Sequence, residues 1–244
     1  MHTFVNVFDW LTDPVHWSGM DGIPLRLRQH VEISLVSLAL ASALAIPVGL
    51  FVGHIRKGEF LAVSIANVGR AVPSFAILVL AYLAFLQLSP ALAFGFGPTV
   101  VALFLLSIPP ILTNTYVGVQ QVDADTVEAA RGMGMSERQV LLRLELPLSA
   151  PLIMAGLRTA AVTVVATATL AALIGGGGLG RFIIDGFHTN DTVKVVSGAV
   201  LVALLSIATE VSFALVERAV RPPTSSRNGG RSLRSPSTWL DKSA

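Results

Sequence analysis

Three ionisable residues, Arg70, Arg158 and Glu210, fall inside stretches of sequence that are otherwise apolar. A charge within a membrane helix is costly and ordinarily faces protein or water. At ~1.5 Å per residue, each lies about 7–10 residues, or ~10–15 Å, from the end of its stretch nearer the basic loops. The three can therefore share one layer, a polar cluster along a translocation path. Arg158 and Glu210 belong to consecutive stretches, and their matching depth predicts an ion pair; Arg70 is a second candidate partner for Glu210. Snorkelling of the arginines to the headgroups is the alternative.

Other chemistry is set aside on spacing or context. There is no cysteine, so disulfides, thiolate metal sites and lipidated cysteine are excluded. His2, His16, His30, His54 and His188 are scattered over loops and span ends without helical metal spacing, and are expected to be ordinary solvated or interfacial histidines. No Ser/His pair lies within the spans. Gly175-x-Gly177-x-x-Gly180 matches a dinucleotide fingerprint formally, but it follows an apolar span instead of a strand. It reads better as a turn that lets helices pack closely, an outer gate element. No GxxxxGK[ST] phosphate loop is present, so ATP hydrolysis by this chain is not expected.

The densest charge lies elsewhere, in EAARGMGMSERQVLLRLELP, Glu128 to Pro147. Asp125 is placed to cap a short helix, with Glu128 at its third position. Ala129 and Ala130 leave a thin surface, and Gly134 is placed to end the helix in a left-handed conformation. Ser136 then caps a second helix, with Gln139 at its third position. Val140, Leu141, Leu144 and Leu146 form an apolar side opposite Arg138 and Arg143. Pro147 is expected to close the unit. The product is a helix–glycine–helix elbow; a folded connector against the bilayer and a docking element are both open on these grounds.

The elements that must carry these residues are membrane helices. Of 244 residues, 53% are hydrophobic and only 13% charged, and the mean hydropathy is +0.70. A soluble domain carries roughly 25% charged residues. Five apolar stretches are each long enough to cross a ~30 Å core: Val31–Gly53, Phe60–Leu86, Phe96–Val119, Ala150–Ile174 and Val193–Val216. Backbone polar groups must be satisfied within lipid, so the fold class is all-α, polytopic, with about five spans. Asn67, Gly69, Arg70 and Pro73 mark a kink or break in the second. With the N-terminus outside, eleven loop and tail lysines and arginines fall on the cytoplasmic side and four outside, in the sense of the positive-inside rule. The expected organisation is an extracytoplasmic segment 1–30, without the features of a signal peptide, a transmembrane domain 31–220 with a cytoplasmic loop at 121–149, and a disordered cytoplasmic tail 221–244. Five helices are few to enclose a solute path, so a second subunit is expected.

Glu128-Ala129-Ala130, Gly134, then Leu144-x-Leu146-Pro147 resembles the EAA loop of ABC importer permeases, with Leu144 where the family usually has Ile. The segments NVGRAVPSFAILVLAY, SIPPILTNTYVGV, PLIMAGLRTA and ATLAALIGGGGLGRFI are similar to permeases for osmoprotectants: glycine betaine, choline, carnitine or proline betaine. The resemblance spans about Val31 to Val216. It implies a permease of the bacterial cell membrane, coupled through Glu128, Ala129, Ala130, Gly134, Leu144, Leu146 and Pro147 to a separate ATPase subunit that carries ATP and Mg. It also implies an extracytoplasmic solute-binding protein and a second permease copy or sister permease. No metal, no cofactor on this chain and no nucleic-acid partner are expected. Met133 and Met135 suit an adaptable partner groove. The spans hold few aromatics for a quaternary-ammonium cage, among them Phe75, Tyr82, Phe104 and Tyr116, so specificity is expected mainly in the binding protein. An ion-coupled secondary transporter or channel is the competing class; Glu210 as the one clear acidic residue deep in a span counts against it.

Overall fold

The computed structural model describes residues 2–56, 64 and 71–220. Among them the chain is helical and contains no strand. Helix α1 (His2–Thr12) and a short 3-10 turn (Pro14–Trp17) precede α2 (Ile23–His54). After Pro73 come α3 (Ser74–Leu88) and α4 (Phe96–Gln120), then the elbow helices α5 (Ala124–Gly132) and α6 (Glu137–Val140). A π-helical turn (Leu141–Glu145) leads into α7 (Leu146–Thr167), which tightens to a 3-10 run (Ala168–Ile174); α8 (Gly180–Thr189) and α9 (Thr192–Val220) follow.

Among the described residues, four runs are long and apolar enough to cross a membrane: Ile23–His54, Phe96–Gln120, Glu137–Ile174 and Thr192–Arg218. They cover the first, third, fourth and fifth apolar stretches. The first helix starts well before Val31, because Ile23 and Pro24 open it behind an extended Gly22. Among the described residues the second stretch holds the 15-residue α3, about 22 Å long at ~1.5 Å per residue. Its break falls at Pro73, extended at φ −59°, ψ 130°. Asn67, Gly69 and Arg70 lie outside the described residues.

Helices α2, α4 and α7 form the centre. Leu38, Ala41 and Ala45 of α2 pack with Ile111 and Leu112 of α4 and with Ala160 and Ala161 of α7. Small residues allow close approach where apolar burial drives little association in lipid. Gly49 and Gly53, four apart on α2, face Thr115 and Val119, four apart on α4; a Cβ on either glycine would lie 2.7 Å from its partner's Cβ. Gly156 of α7 meets Asn114 of α4 in the same way. This GxxxG seam is a sequence feature that hydropathy alone passes over.

Prolines do not end these helices. Pro47 lies inside α2, Pro109 and Pro110 inside α4, and Pro151 inside α7. Pro147 does not close the elbow either, contrary to expectation, and sits in the first turn of α7. The widened π turn just before it changes the carbonyl register, so the missing Pro147 N–H interrupts no regular i→i−4 ladder.

Helix α9 flanks this centre. Only 6% of its most apolar window is buried, against 50% for α4. One edge touches α7 and α8, and Leu204, Ile207, Val211 and Leu215 are exposed. At the end of the bundle away from the elbow, Trp10 of α1 packs onto Ile23, Phe182 and Val202.

Candidate functional site

The elbow is a small folded unit between α4 and α7. Asp123, not Asp125, is its N-cap: Asp123 Oδ2 accepts from the Thr126 N–H at 2.9 Å and from the Thr126 hydroxyl at 2.8 Å. Those bonds hold the Asp123 carboxyl below its ordinary range. Asp125 lies in the first turn, where a negative charge favours the helix dipole. Glu128 therefore falls beyond the capping position and is exposed.

At the other end of α5, Gly134 has φ +86°, as expected from the sequence. Gly134 N–H donates to Arg131 O at 2.9 Å, and Met135 N–H to Ala130 O at 3.2 Å. This pair of bonds is a Schellman motif, which needs a left-handed residue where glycine stands. Ser136 starts α6, and its N–H donates to Gln139 Oε1 at 2.8 Å, one half of the anticipated capping box.

The angle is held by a private core. Val122, Val127, Ala130 and Val140 are buried together, with Met135 and Leu144 against them. Ala130, Met135 and Leu144 thus face inward and shape the elbow; Leu146 is partly buried. Glu128, Ala129 and Met133, the last 78% exposed, point away from it.

Polar bonds add a second layer that the sequence reading missed. Arg131 forks onto Glu137, with Nε to Oε1 and Nη2 to Oε2 both at 2.9 Å. Donating these hydrogen bonds to Glu137 pushes the Arg131 guanidinium above its ordinary value. His54, the last residue of α2, lies 3.1 Å from Glu137 Oε2 through Nε2 and 2.5 Å from Glu145 Oε2 through Nδ1. Glu145 is 1% exposed. His54 is thus no ordinary solvated residue, because folding sets it between two carboxylates.

His30 corrects the same expectation at the opposite end. It is 1% exposed. Its Nε2 faces the Val165 carbonyl at 2.8 Å and so carries the proton; Nδ1 accepts from the Leu179 N–H at 3.2 Å. Beside it, Gln29 Oε1 accepts from the Gly178 N–H at 3.1 Å. Together they seat the glycine turn on α2. Gly175 is left-handed at φ +75°. A Cβ on Gly177 would lie 2.2 Å from Gln29 Oε1, and one on Gly180 2.2 Å from Thr169 O. The turn packs as tightly as its composition implies, and it follows a 3-10 helix, not the strand a dinucleotide site requires.

The membrane charges meet as a fork. Arg158 Nε lies 3.5 Å from Glu210 Oε1, and Arg158 Nη1 lies 3.1 Å from Glu217 Oε2. Glu217, seven residues beyond Glu210 on the same face of α9, was not anticipated; it is buried, whereas the Glu210 side chain is 49% exposed. Arg70 lies outside the described residues. A largely apolar cleft of about 250 Å³ opens nearby between α2, α7 and α9, with Ser34, Ala161, Thr209 and Phe213 in its wall.

Long apolar helices that pack through small residues, interrupted by a folded and charged elbow, make a multi-helix membrane bundle. The sequence profile described as "binding-protein-dependent transport system inner membrane component" matches residues 45–222. The choline transport system permease protein OpuBB of Bacillus subtilis is 38% identical over 194 residues, 80% of this chain and 86% of that protein. The osmoprotectant import permease protein OsmY of Salmonella typhimurium is 34% identical over 199 residues, 81% of each chain. Among solved structures, an inward-facing MetNI methionine ABC transporter superposes with a TM-score of 0.74 at 20% identity, covering 86% of this chain and all of that one. The chain belongs to the family of binding-protein-dependent transport system inner membrane components, as the permease subunit of an ABC importer.

Proposed function

We propose that this permease imports a compatible solute of the quaternary-ammonium class: glycine betaine, choline, carnitine or proline betaine. The names of relatives 31–38% identical to it support that class. The observation that carries the mechanism is the elbow. Its angle is fixed by a Schellman glycine and a private core, and it presents Glu128, Ala129 and Met133 outward. Such a rigid projection suits a cleft on a separate ATPase subunit, which binds ATP and Mg and whose closure displaces the elbow. Ala130, Gly134, Leu144, Leu146 and Pro147 act by setting its shape and its junction with α7. The elbow lies on the cytoplasmic side, where most lysines and arginines fall, and the N-terminus lies outside.

Glu210, half exposed beside the cleft, lines the inner half of the path with Arg158. The turn at Gly175, Gly177 and Gly180 belongs to the outer gate, where an extracytoplasmic binding protein delivers solute. The exposed face of α9 meets a second permease, either another copy or a sister chain.

The test is reconstitution of the permease with its ATPase subunit and binding protein in vesicles, followed by uptake of labelled choline, glycine betaine and carnitine. ATP-dependent uptake of at least one is expected. Uptake that persists without the ATPase, or that follows an ion gradient, counts against the importer; ATP-dependent uptake of none of these solutes removes the solute class.

A further inference from the structure

We infer that His54 is the joint through which displacement of the elbow reaches helix α2, a positioning role that rests on the elbow reading above. The elbow is covalently continuous with α4 and α7. Helix α2, the third member of the central bundle, has no such connection, so force must cross to it through side chains. Its last residue, His54, is where it meets the arm of the elbow that leads into α7.

Both ring nitrogens of His54 face carboxylates: Glu145 Oε2 at 2.5 Å and Glu137 Oε2 at 3.1 Å. A ring nitrogen that carries a proton donates to the carboxylate it faces, and the carboxylate oxygen accepts. One side reaches the π turn that opens α7; the other reaches the start of α6, where Glu137 is also forked by Arg131 from the end of α5. A single side chain therefore holds both ends of the arm that follows Gly134, and reaches α5 through the Arg131 fork. A second link lies beside it, from Arg56 Nη2 to the Val122 carbonyl at 3.1 Å.

The other side of the joint is equally firm. Gly53, next to His54, is packed against Val119, and Gly49 against Thr115. A pull at His54 thus moves α2 together with α4 and leaves little slack between them. Glu145, 1% exposed, has His54 as its hydrogen-bonded partner, and removing that partner strands a buried carboxylate.

The experiment uses the reconstituted transporter and three permease variants: His54→Leu, His54→Arg and the neutral pair His54→Gln with Glu145→Gln. For each, permease abundance, retention of the ATPase subunit, ATP turnover and solute uptake are measured. His54→Leu should keep retention and turnover near wild type while uptake per ATP falls at least ~5-fold, the lower end of ordinary coupling between sites. His54→Arg, with a permanent cation and several donors, should recover much of that loss. The neutral pair, without the stranded charge, should fold as well as wild type and still transport poorly. Unchanged uptake in His54→Leu, or uptake and ATPase retention falling together in all three variants, overturns the joint. Failure of the wild-type permease to retain any ATPase subunit removes the importer reading and the joint with it.

Discussion

Gly134 and Arg158 show how differently single residues act here. At Gly134 the constraint is backbone geometry: a side chain there meets nothing within 4 Å, yet φ is +86°. Replacing it with valine costs roughly 1–2 kcal/mol or more through the left-handed conformation alone. Gly134→Val should therefore insert normally and lose uptake, and uptake compared at equal membrane abundance checks this. At Arg158 the constraint is charge. The nearer partner is the buried Glu217, and Glu210 is looser and half exposed. Glu217→Gln should cost stability, about 1–3 kcal/mol given that Arg158 is one-third exposed. Glu210→Gln should spare stability and lower transport. Thermal stability in detergent and uptake, measured for both and for each combined with Arg158→Gln, separate the roles; strict additivity in every combination would deny the fork.

The Arg158–Glu210 pairing was legible because depth along two consecutive helices is simple arithmetic, and Gly134 because a turn residue declares itself. His54 and His30 were not. Each acquires its partners from residues 83 to 149 positions away, and only helix register brings them together. The cap is Asp123 and not the expected Asp125, because where α4 ends decides which residue stands at the extended position.

Elements in this protein meet through surfaces with almost no side chain. The α2–α4 seam is the clearest instance, since Gly49 and Gly53 leave no room for a Cβ beside Thr115 and Val119. Gly49→Leu should push the helices apart, at a cost of about 1–3 kcal/mol for overpacking, and lower the thermal midpoint. Gly132→Ala, on the elbow where nothing lies within 4 Å, should leave it unchanged. Thermal unfolding of the two variants is the check. Helix positions were readable from hydropathy because apolar length is a strong signal. Helix ends were not: α2 begins earlier than its apolar stretch, and the α7 run begins at Glu137 on the polar elbow and passes through Pro147. Charged first turns and prolines read as boundaries in a sequence, yet capping, π widening and neighbouring contacts carry the helix through them.

For the whole molecule, the two ends of the bundle are sealed by different means. The elbow end is tied by ionic bonds, and the far end by glycines pressed onto Gln29 and His30. The orientation proposed from the lysine and arginine count is directly testable, because the chain has no native cysteine. A cysteine at Ser136 should react with an impermeant thiol reagent only once the cytoplasmic face is opened, and one at Thr189 should react from outside. The opposite pattern would invert the topology.

The sparse engagement of α9 bears on how the protein is made. A helix this apolar, with so little of its surface held by neighbours, partitions into lipid on its own account. Its insertion during synthesis need not wait for α2, α4 and α7 to close on one another. On this expectation it enters as an independent stave, to be latched at one end by the contacts of α8 and near the other by the Arg158 fork. Biogenesis then has two separable stages, a compact core and a late-docking helix. The carboxylates of α9 enter the bilayer with the helix, and Arg158 is the cation that meets them there. A variant lacking that arginine would accordingly reveal itself first in the yield of assembled protein from a synthesis reaction, before any defect in the finished transporter could be measured.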